Sequence, residues 1–201
     1  MTARHKSPTL DRRKVAAEIL ENRGDALVVA GLGAPCWDIA AAGDHPLNFY
    51  VWGGMGSAAM IGLGLALAQP RRRVIVITGD GEMLMGLGAL ATIGVQQPRN
   101  LALVVEDNEH YGETGMQQTH TRFGVDLAGV AKAAGFRAAA TIRNAAQLRS
   151  WIPKLYRRPG PVFIDVKVTT ARAPLVLPPR DGTILRERFR EALLGPQAAR
   201  E

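Results

Sequence analysis

The sequence predicts an α/β fold, a doubly wound and mainly parallel sheet with helices on both faces, and three observations predict it. Short apolar runs alternate with helix-patterned segments from residue 11 to residue 168, the order that builds successive βαβ units. Two of the runs, Val74–Ile77 and Leu101–Val105, end in polar, glycine-bearing turns. A length of 201 residues with 47% hydrophobic and 21% charged residues suits one domain with a full core.

In order, residues 1–9 read as a mobile basic tail, residues 10–170 as the sheet domain, and residues 171–201 as a C-terminal extension with a helix. Val15, Ile19 and Leu20 have helical spacing between Asp11 and Arg23, and Gly24 ends that helix. Residues 26–30 form the first strand. Gly31-Leu32-Gly33-Ala34-Pro35 then turns the chain into a helix over residues 35–41. Such a turn is a natural anion seat, because unpaired N–H groups point outward. Taken alone it is explained by a tight turn, and Cys36 stands where a dinucleotide fingerprint needs its third glycine.

Residues 49–52 are a short strand, and a small-residue helix follows over 57–69. Glycines at 56, 62 and 64 would weaken an isolated helix by about 1 kcal/mol each, so a backbone or a cofactor must pack very close to it. The segment 82–90 is apolar almost all round, which predicts a buried helix, with a second subunit as one possible cover. Gln96-Gln97-Pro98 ends the helical stretch. Residues 111–121 form a polar loop of a length that is uncommon without a function. Residues 126–135 and 144–155 read as helices, and residues 137–142 and 161–168 as strands. A proline-marked linker over 173–179 leads to a last, charged helix over 183–194.

Bulk properties exclude several classes. No run has the length and flanks of a membrane span, and the N-terminal residues lack the apolar core of a secretory signal. Cys36 is the sole cysteine, which excludes an internal disulfide and fits a reducing, cytoplasmic compartment. The net charge of +7 comes from small scattered basic groups without aromatic interleaving, which argues against nucleic acid as a partner. It is either a solvated basic surface or a field that attracts anionic ligands or an acidic partner.

The candidate chemistry lies in residues 73–124. Asp80 and Asn108 each sit just past the carboxyl end of a strand; if those strands are parallel neighbours, both side chains face the crevice where open α/β sheets bind ligands. A carboxylate and an amide oxygen are hard ligands suited to Mg²⁺, which fills its octahedron with phosphate and water. Gly79 and Gly81 let the backbone bend tightly and approach an anion. Gly-Asp-Gly alone is common in turns; the two framing strands, the spacing and Tyr111 give it weight.

This stretch resembles the diphosphate-binding signature of thiamine diphosphate-dependent enzymes, a Gly-Asp-Gly followed, here across residues 82–107, by Asn. Asp107 stands where the family usually has a first Asn. Trp52-Gly53-Gly54-Met55-Gly56 resembles a second element of the family. There a glycine carbonyl, by position Gly53, accepts from the aminopyrimidine's 4′-amino group, and a bulky residue, Met55, wedges between the cofactor's rings. The resemblance implies thiamine diphosphate and Mg²⁺ as cofactors, with Asp80, Asn108 and the His110 carbonyl on the metal. Gly79, Gly81, Glu82 and Tyr111, with Gly31 and Gly33 of the first turn, complete the expected cofactor contacts. Tyr111 serves equally as packing.

The run Tyr111, Gly112, Thr114, Gly115, Gln117 and Thr119 after Asn108 is most similar to the β-type chain of sulfopyruvate decarboxylase and the matching part of phosphonopyruvate decarboxylase. That implies decarboxylation of a small anionic 2-oxoacid such as 3-sulfopyruvate or phosphonopyruvate. Glu113, Thr114, Gln117 and His120 are the loop residues that could reach substrate. His120 is either a surface residue or a proton shuttle. The family's glutamate on the pyrimidine comes from a separate domain for which this chain has no room. Glu18, Glu82 and Glu106 do not sit where the family puts it. The expectation is therefore a hetero-oligomer with a pyrimidine-binding, alpha-type subunit. The alternatives are an acetolactate synthase-like carboligase subunit and a non-catalytic binding module, which fold alone does not exclude.

Overall fold

The computed structural model describes residues 8–197; residues 1–7 of the expected tail and residues 198–201 lie outside them. Six strands lie side by side in the order β2 (Asn48–Tyr50), β1 (Leu27–Ala30), β3 (Val74–Gly79), β4 (Leu101–Asp107), β8 (Val162–Lys167) and β7 (Ala138–Ile142). Every neighbouring pair is parallel. The four inner strands are buried on both faces, so they read as unbroken apolar runs and not as alternating ones. Side chains alternate across each strand. Val28, Ile75, Ala102 and Ile164 face one core, with α1 (Arg12–Leu20), α2 (Ala34–Ala41) and α7 (Ala145–Arg157). Leu27, Val76, Leu103 and Phe163 face the other, with α3 (Ala58–Ala68), α5 (Gly88–Gln96) and α6 (Leu127–Ala133). Each Val, Leu or Ile fully buried there contributes about 1.5–3 kcal/mol.

The helices begin where polar side chains cap them. Asp11, Asp126, Asn144 and Asp181 each accept a backbone N–H of the first turn of α1, α6, α7 and α8 (Gly182–Leu194), a contact typically of ~1 kcal/mol. The C-terminal extension folds back on the sheet: Phe189 of α8 packs edge-on against Phe49 of β2 at 5.6 Å. The extended segment before it is pinned by Trp52 Nε1 donating to the Pro179 carbonyl at 2.8 Å.

Two expectations change. The segment after Gly81 is two helices, α4 (Asp80–Met85) and α5. The break falls at Gly86, where a Cβ would stand 2.2 Å from the Gly56 carbonyl oxygen. Nor is this segment covered all round within this chain, since Met85 is 61% exposed. The polar loop after Asn108 is ordered as a short antiparallel hairpin, β5 (His110–Tyr111) with β6 (Gln117–Gln118), and a 3-10 turn over His120–Phe123. Among the described residues no helix is long and apolar enough to cross a membrane.

Close packing explains one of the α3 glycines and not another. A Cβ on Gly62 would lie 2.2 Å from Cγ2 of buried Val76, while nothing comes within 4 Å of one on Gly64. Val is stiff at χ1, so Val76 cannot turn aside. Gly62→Ala should lower stability by about 1–3 kcal/mol. Gly64→Ala should raise it by up to about 1 kcal/mol. Thermal midpoints moving in opposite directions, by about 2–4 °C per kcal/mol, check this.

Candidate functional site

A cavity of about 440 Å³ opens at the carboxyl end of the sheet, beside β1 and β3, where the strand order reverses and ligands bind in such folds. Its walls are Leu32, Ala34 and Pro35 after β1, residues 79–82 after β3, Asn108 and residues 110–114 after β4, and residues 168–173 after β8. The β3–β4 register puts Gly79 opposite Glu106, so Asp80 and Asn108 leave neighbouring tips and line one cavity.

Asp80 is 2% exposed and is the first residue of α4. Thr119 Oγ1 contacts its Oδ2 at 2.5 Å, Thr121 Oγ1 lies 2.9 Å from Thr119 Oγ1, and Thr121 donates to Asp107 Oδ1 at 2.9 Å. Burial, and then the negative charge of Asp107, push the Asp80 carboxyl from 3.8 up to about 7, against the Thr119 hydrogen bond. Two hydroxyls supply two protons for these three contacts, and protonation of Asp80 would supply a third.

Asn108 is held by its own turn. Its Oδ1 accepts the His110 N–H at 2.8 Å, and His110 Nδ1 lies 2.8 Å from its carbonyl oxygen. The turn needs Glu109 at φ 64, a left-handed conformation that is uncommon outside glycine. An amide oxygen has two lone pairs, so Oδ1 keeps one for a metal. Among the described residues no three His, Cys, Asp or Glu side chains converge as ligands. A cation held by Asp80, Asn108 and the His110 carbonyl would take its other ligands from phosphate and water, the habit of Mg²⁺. The donor set therefore fits Mg²⁺ on a diphosphate.

Glu82 is 4% exposed and has a structural task. Its carboxylate accepts from Leu32 N at 2.8 Å, Thr78 Oγ1 at 2.7 Å and Ala58 N at 3.3 Å. It staples the β1–α2 turn, the end of β3 and the start of α3, and so shapes the wall. Gly31 is required because a Cβ there would lie 2.2 Å from Glu82 Oε2. Gly33, at φ 77, begins α2 under the Glu113 side chain, 2.8 Å from where a Cβ would stand. Tyr111 packs its ring on Gly81, 2.5 Å from a would-be Cβ, and Met55 Cε lies 3.4 Å from the same point. Cys36 donates to the Gly31 carbonyl at 3.0 Å, and burial pushes its thiol up to about 12.

Of the expected site residues, Met55, Gly79, Asp80, Gly81, Glu82, Asn108, His110 and Tyr111 line the cavity. Gly31, Gly33, Gly53 and His120 do not. The first two support the wall from behind. Gly53 is exposed in the loop after β2, and His120 is exposed at the head of the 3-10 turn. Glu113 and Thr114 line the cavity, whereas Gln117 pairs with Thr114 Oγ1 within the hairpin at 2.9 Å. Of the glutamates weighed as acids, Glu18 is outside the cavity and Glu82 is committed to its staple. Glu106 lines it, 4% exposed and with no hydrogen-bond partner on either oxygen.

Other residues were not foreseen. Arg12 and Arg172 line the cavity and give it a cationic side. Beneath it Lys167, 5% exposed, contacts Asp107 and lies 3.5 Å from Glu109 and 3.8 Å from Asp165. Burial pulls the Lys167 ammonium down, and Asp165, Asp107 and Glu109 more than offset this, leaving it raised. The sequence held one signal: Asp165 and Lys167 are charges two apart in an apolar run, hence on one face of a strand.

Residues 34–166 match the family described as thiamine pyrophosphate enzyme, C-terminal TPP binding domain. The chain is 39% identical over 186 residues to sulfopyruvate decarboxylase subunit beta of Methanothermobacter thermautotrophicus, covering 92% of this chain and 97% of that one. It is 39% identical over 144 residues to phosphonopyruvate decarboxylase of Streptomyces viridochromogenes, covering 72% of this chain and 36% of that one. Benzoylformate decarboxylase from Polynucleobacter necessarius has the same fold, with a TM-score of 0.69 at 20% identity over 87% of this chain and 36% of that chain. The chain thus spans nearly all of the first relative and about a third of the other two.

The raised Asp80 carboxyl has a sign that can be tested. Its proton leaves the unfolded chain near 3.8 and the metal-free folded chain near 7. Its stabilising contribution is therefore complete below 3.8 and is lost as pH rises to about 7. The metal-free wild type should gain thermal stability between pH 8 and pH 6 relative to Asp80→Asn, and its affinity for Mg²⁺ should fall over the same interval. Parallel pH dependence of the two midpoints would contradict the assignment.

Proposed function

The chain belongs to the thiamine pyrophosphate enzymes, as their C-terminal cofactor-binding domain, and from that premise we propose that it is the diphosphate-binding subunit of a decarboxylase. The enzyme would depend on thiamine diphosphate and Mg²⁺ and act on a small anionic 2-oxoacid such as 3-sulfopyruvate or phosphonopyruvate. A separate pyrimidine-binding subunit would complete it. One observation carries this reading: a buried carboxylate and an amide oxygen on adjacent parallel strand tips share a cavity floored by glycine.

The near-complete match to a chain named as a beta subunit supports the division into two chains. So does the 36% share of phosphonopyruvate decarboxylase that this chain covers. When bound, thiamine diphosphate supplies a carbon nucleophile and an electron sink. Asp80, Asn108 and the His110 carbonyl hold the metal against the diphosphate. The backbone at Gly79 and Gly81 admits the phosphates closely, since no side chain intervenes. Met55, beside Gly81, is placed to support the bent shape of the cofactor, and the Gly53 carbonyl to orient the amino group of its pyrimidine. Arg12 and Arg172 favour anionic ligands in the cavity. The acid for the pyrimidine nitrogen comes from the partner in this reading.

Calorimetry of thiamine diphosphate with Mg²⁺ tests the reading. Wild type should bind, and Asp80→Ala should weaken binding by ~100-fold or more, the scale of removing one partner of a buried charged contact. With sulfopyruvate or phosphonopyruvate, the chain alone should be inactive, and addition of the pyrimidine-binding subunit should release CO₂ and the aldehyde. Absence of cofactor binding with the partner present would refute the assignment. Full turnover by the isolated chain would refute the divided site.

A further inference from the structure

We propose that Lys167 is a positioning residue for the metal site, acting on Asp80 through Asp107 and the hydroxyls of Thr121 and Thr119 without itself reaching the cavity. The inference rests on the cofactor reading above. Four carboxylates, Asp80, Asp107, Glu109 and Asp165, lie 4% exposed or less around the tips of β3, β4 and β8. Lys167 is the buried cation among them, within 4.0 Å of three of the four. The fourth, Asp80, is reached through the two threonine hydroxyls. Arg122 adds a second cation from the 3-10 turn, 3.2 Å from Glu109 and 37% exposed at its side chain.

The placement follows from strand register. Lys167 is the direct cross-strand partner of Asp107 in the β4–β8 ladder, so the pair is set by the sheet and not by a flexible loop. Asp107 Oδ2 faces Lys167, while its Oδ1 accepts from Thr121 Oγ1 and from the Glu109 N–H, both at 2.9 Å. That second contact lies inside the turn presenting Asn108. One carboxylate thus braces both proposed ligands: Asp80 through two hydroxyls, and Asn108 through the backbone of the next residue. A buried carboxylate is held in place by a cation beside it, and removing that partner leaves it uncompensated. Without Lys167, Asp107 would lose its fixed orientation, and its two braces would lose their fixed point. Groups that hold metal ligands in place commonly change metal affinity 10- to 100-fold.

The test is a titration of Mg²⁺ into the full chain at saturating thiamine diphosphate, read by calorimetry, with the KM for Mg²⁺ and kcat measured in the reconstituted enzyme. Lys167→Met should weaken Mg²⁺ binding by about tenfold or more, with kcat at saturating Mg²⁺ within about threefold of wild type. Lys167→Met combined with Asp107→Asn removes both charges and should recover most of the lost affinity, which a merely structural role would not predict. Thr121→Val cuts the relay and leaves the ion pair whole. It should raise the KM for Mg²⁺ in the same direction, and it decides the matter should Lys167→Met not fold. Unchanged Mg²⁺ affinity in a folded Lys167→Met, a double variant no better than the single one, or an unaffected Thr121→Val would each overturn the inference. Failure of the wild type itself to bind cofactor would instead refute the reading on which it rests.

Discussion

The parallel pairing of β3 with β4, with Gly79 opposite Glu106, is the constraint on which the site depends. It brings out the residues after each strand at the same height and on the same side of the sheet. Asp80 and Asn108 are far apart in sequence, with a helical segment and a strand between them, yet they open into one cavity because two strands end level. A slip of one residue in that ladder would turn β4 over, exchanging the faces of Glu106 and Asp107 and moving the Lys167 contact away from the threonine relay. The pairing is protected by burial of both strands on both faces, so the site inherits its precision from the core.

A second constraint is electrostatic. The carboxyl end of the sheet gathers more acid than a buried region ordinarily holds, and its acids are compensated to different degrees. Glu82 is met by two backbone N–H groups and a hydroxyl, which turns a charge into a staple between three elements. Asp107 is met by an ammonium, a hydroxyl and a backbone N–H. Asp80 receives one hydroxyl and remains poorly compensated, with its carboxyl raised by burial and by Asp107. That imbalance marks the place where a cation is wanted. Stability is given up at Asp80 in the metal-free chain, and the binding of a metal would restore it.

Much of this architecture was legible in the residues. The apolar runs ending at Ile77 and Val105 are strands because nothing in them tolerates water, and Gly79-Asp80-Gly81 and Asn108 follow at their tips as expected. Helix starts at Asp11, Asp126 and Asn144 are written in side chains that cap the first turn. What was misread turned on contacts between distant segments. The helix after Gly81 breaks at Gly86 because the Gly56 backbone passes against it. Gly31 and Gly33 suggested an anion seat, but Glu82 and Glu113 occupy the space beside them. Met85 read as buried because its segment is apolar almost all round, yet it lies on an exposed face of this chain.

The sequence by itself determined the layered α/β class, the two strand tips that carry Asp80 and Asn108, and the glycines that flank Asp80. These are local matters of periodicity, turn chemistry and side-chain identity. Only the tertiary structure decided that Lys167 lies against Asp107, that two threonines link Asp107 to Asp80, that Glu82 braces the wall, and that His120 and Gly53 stand outside the cavity. Such facts belong to strand order and register, which arise when remote segments pack to bury their apolar faces together. No window along the chain contains them.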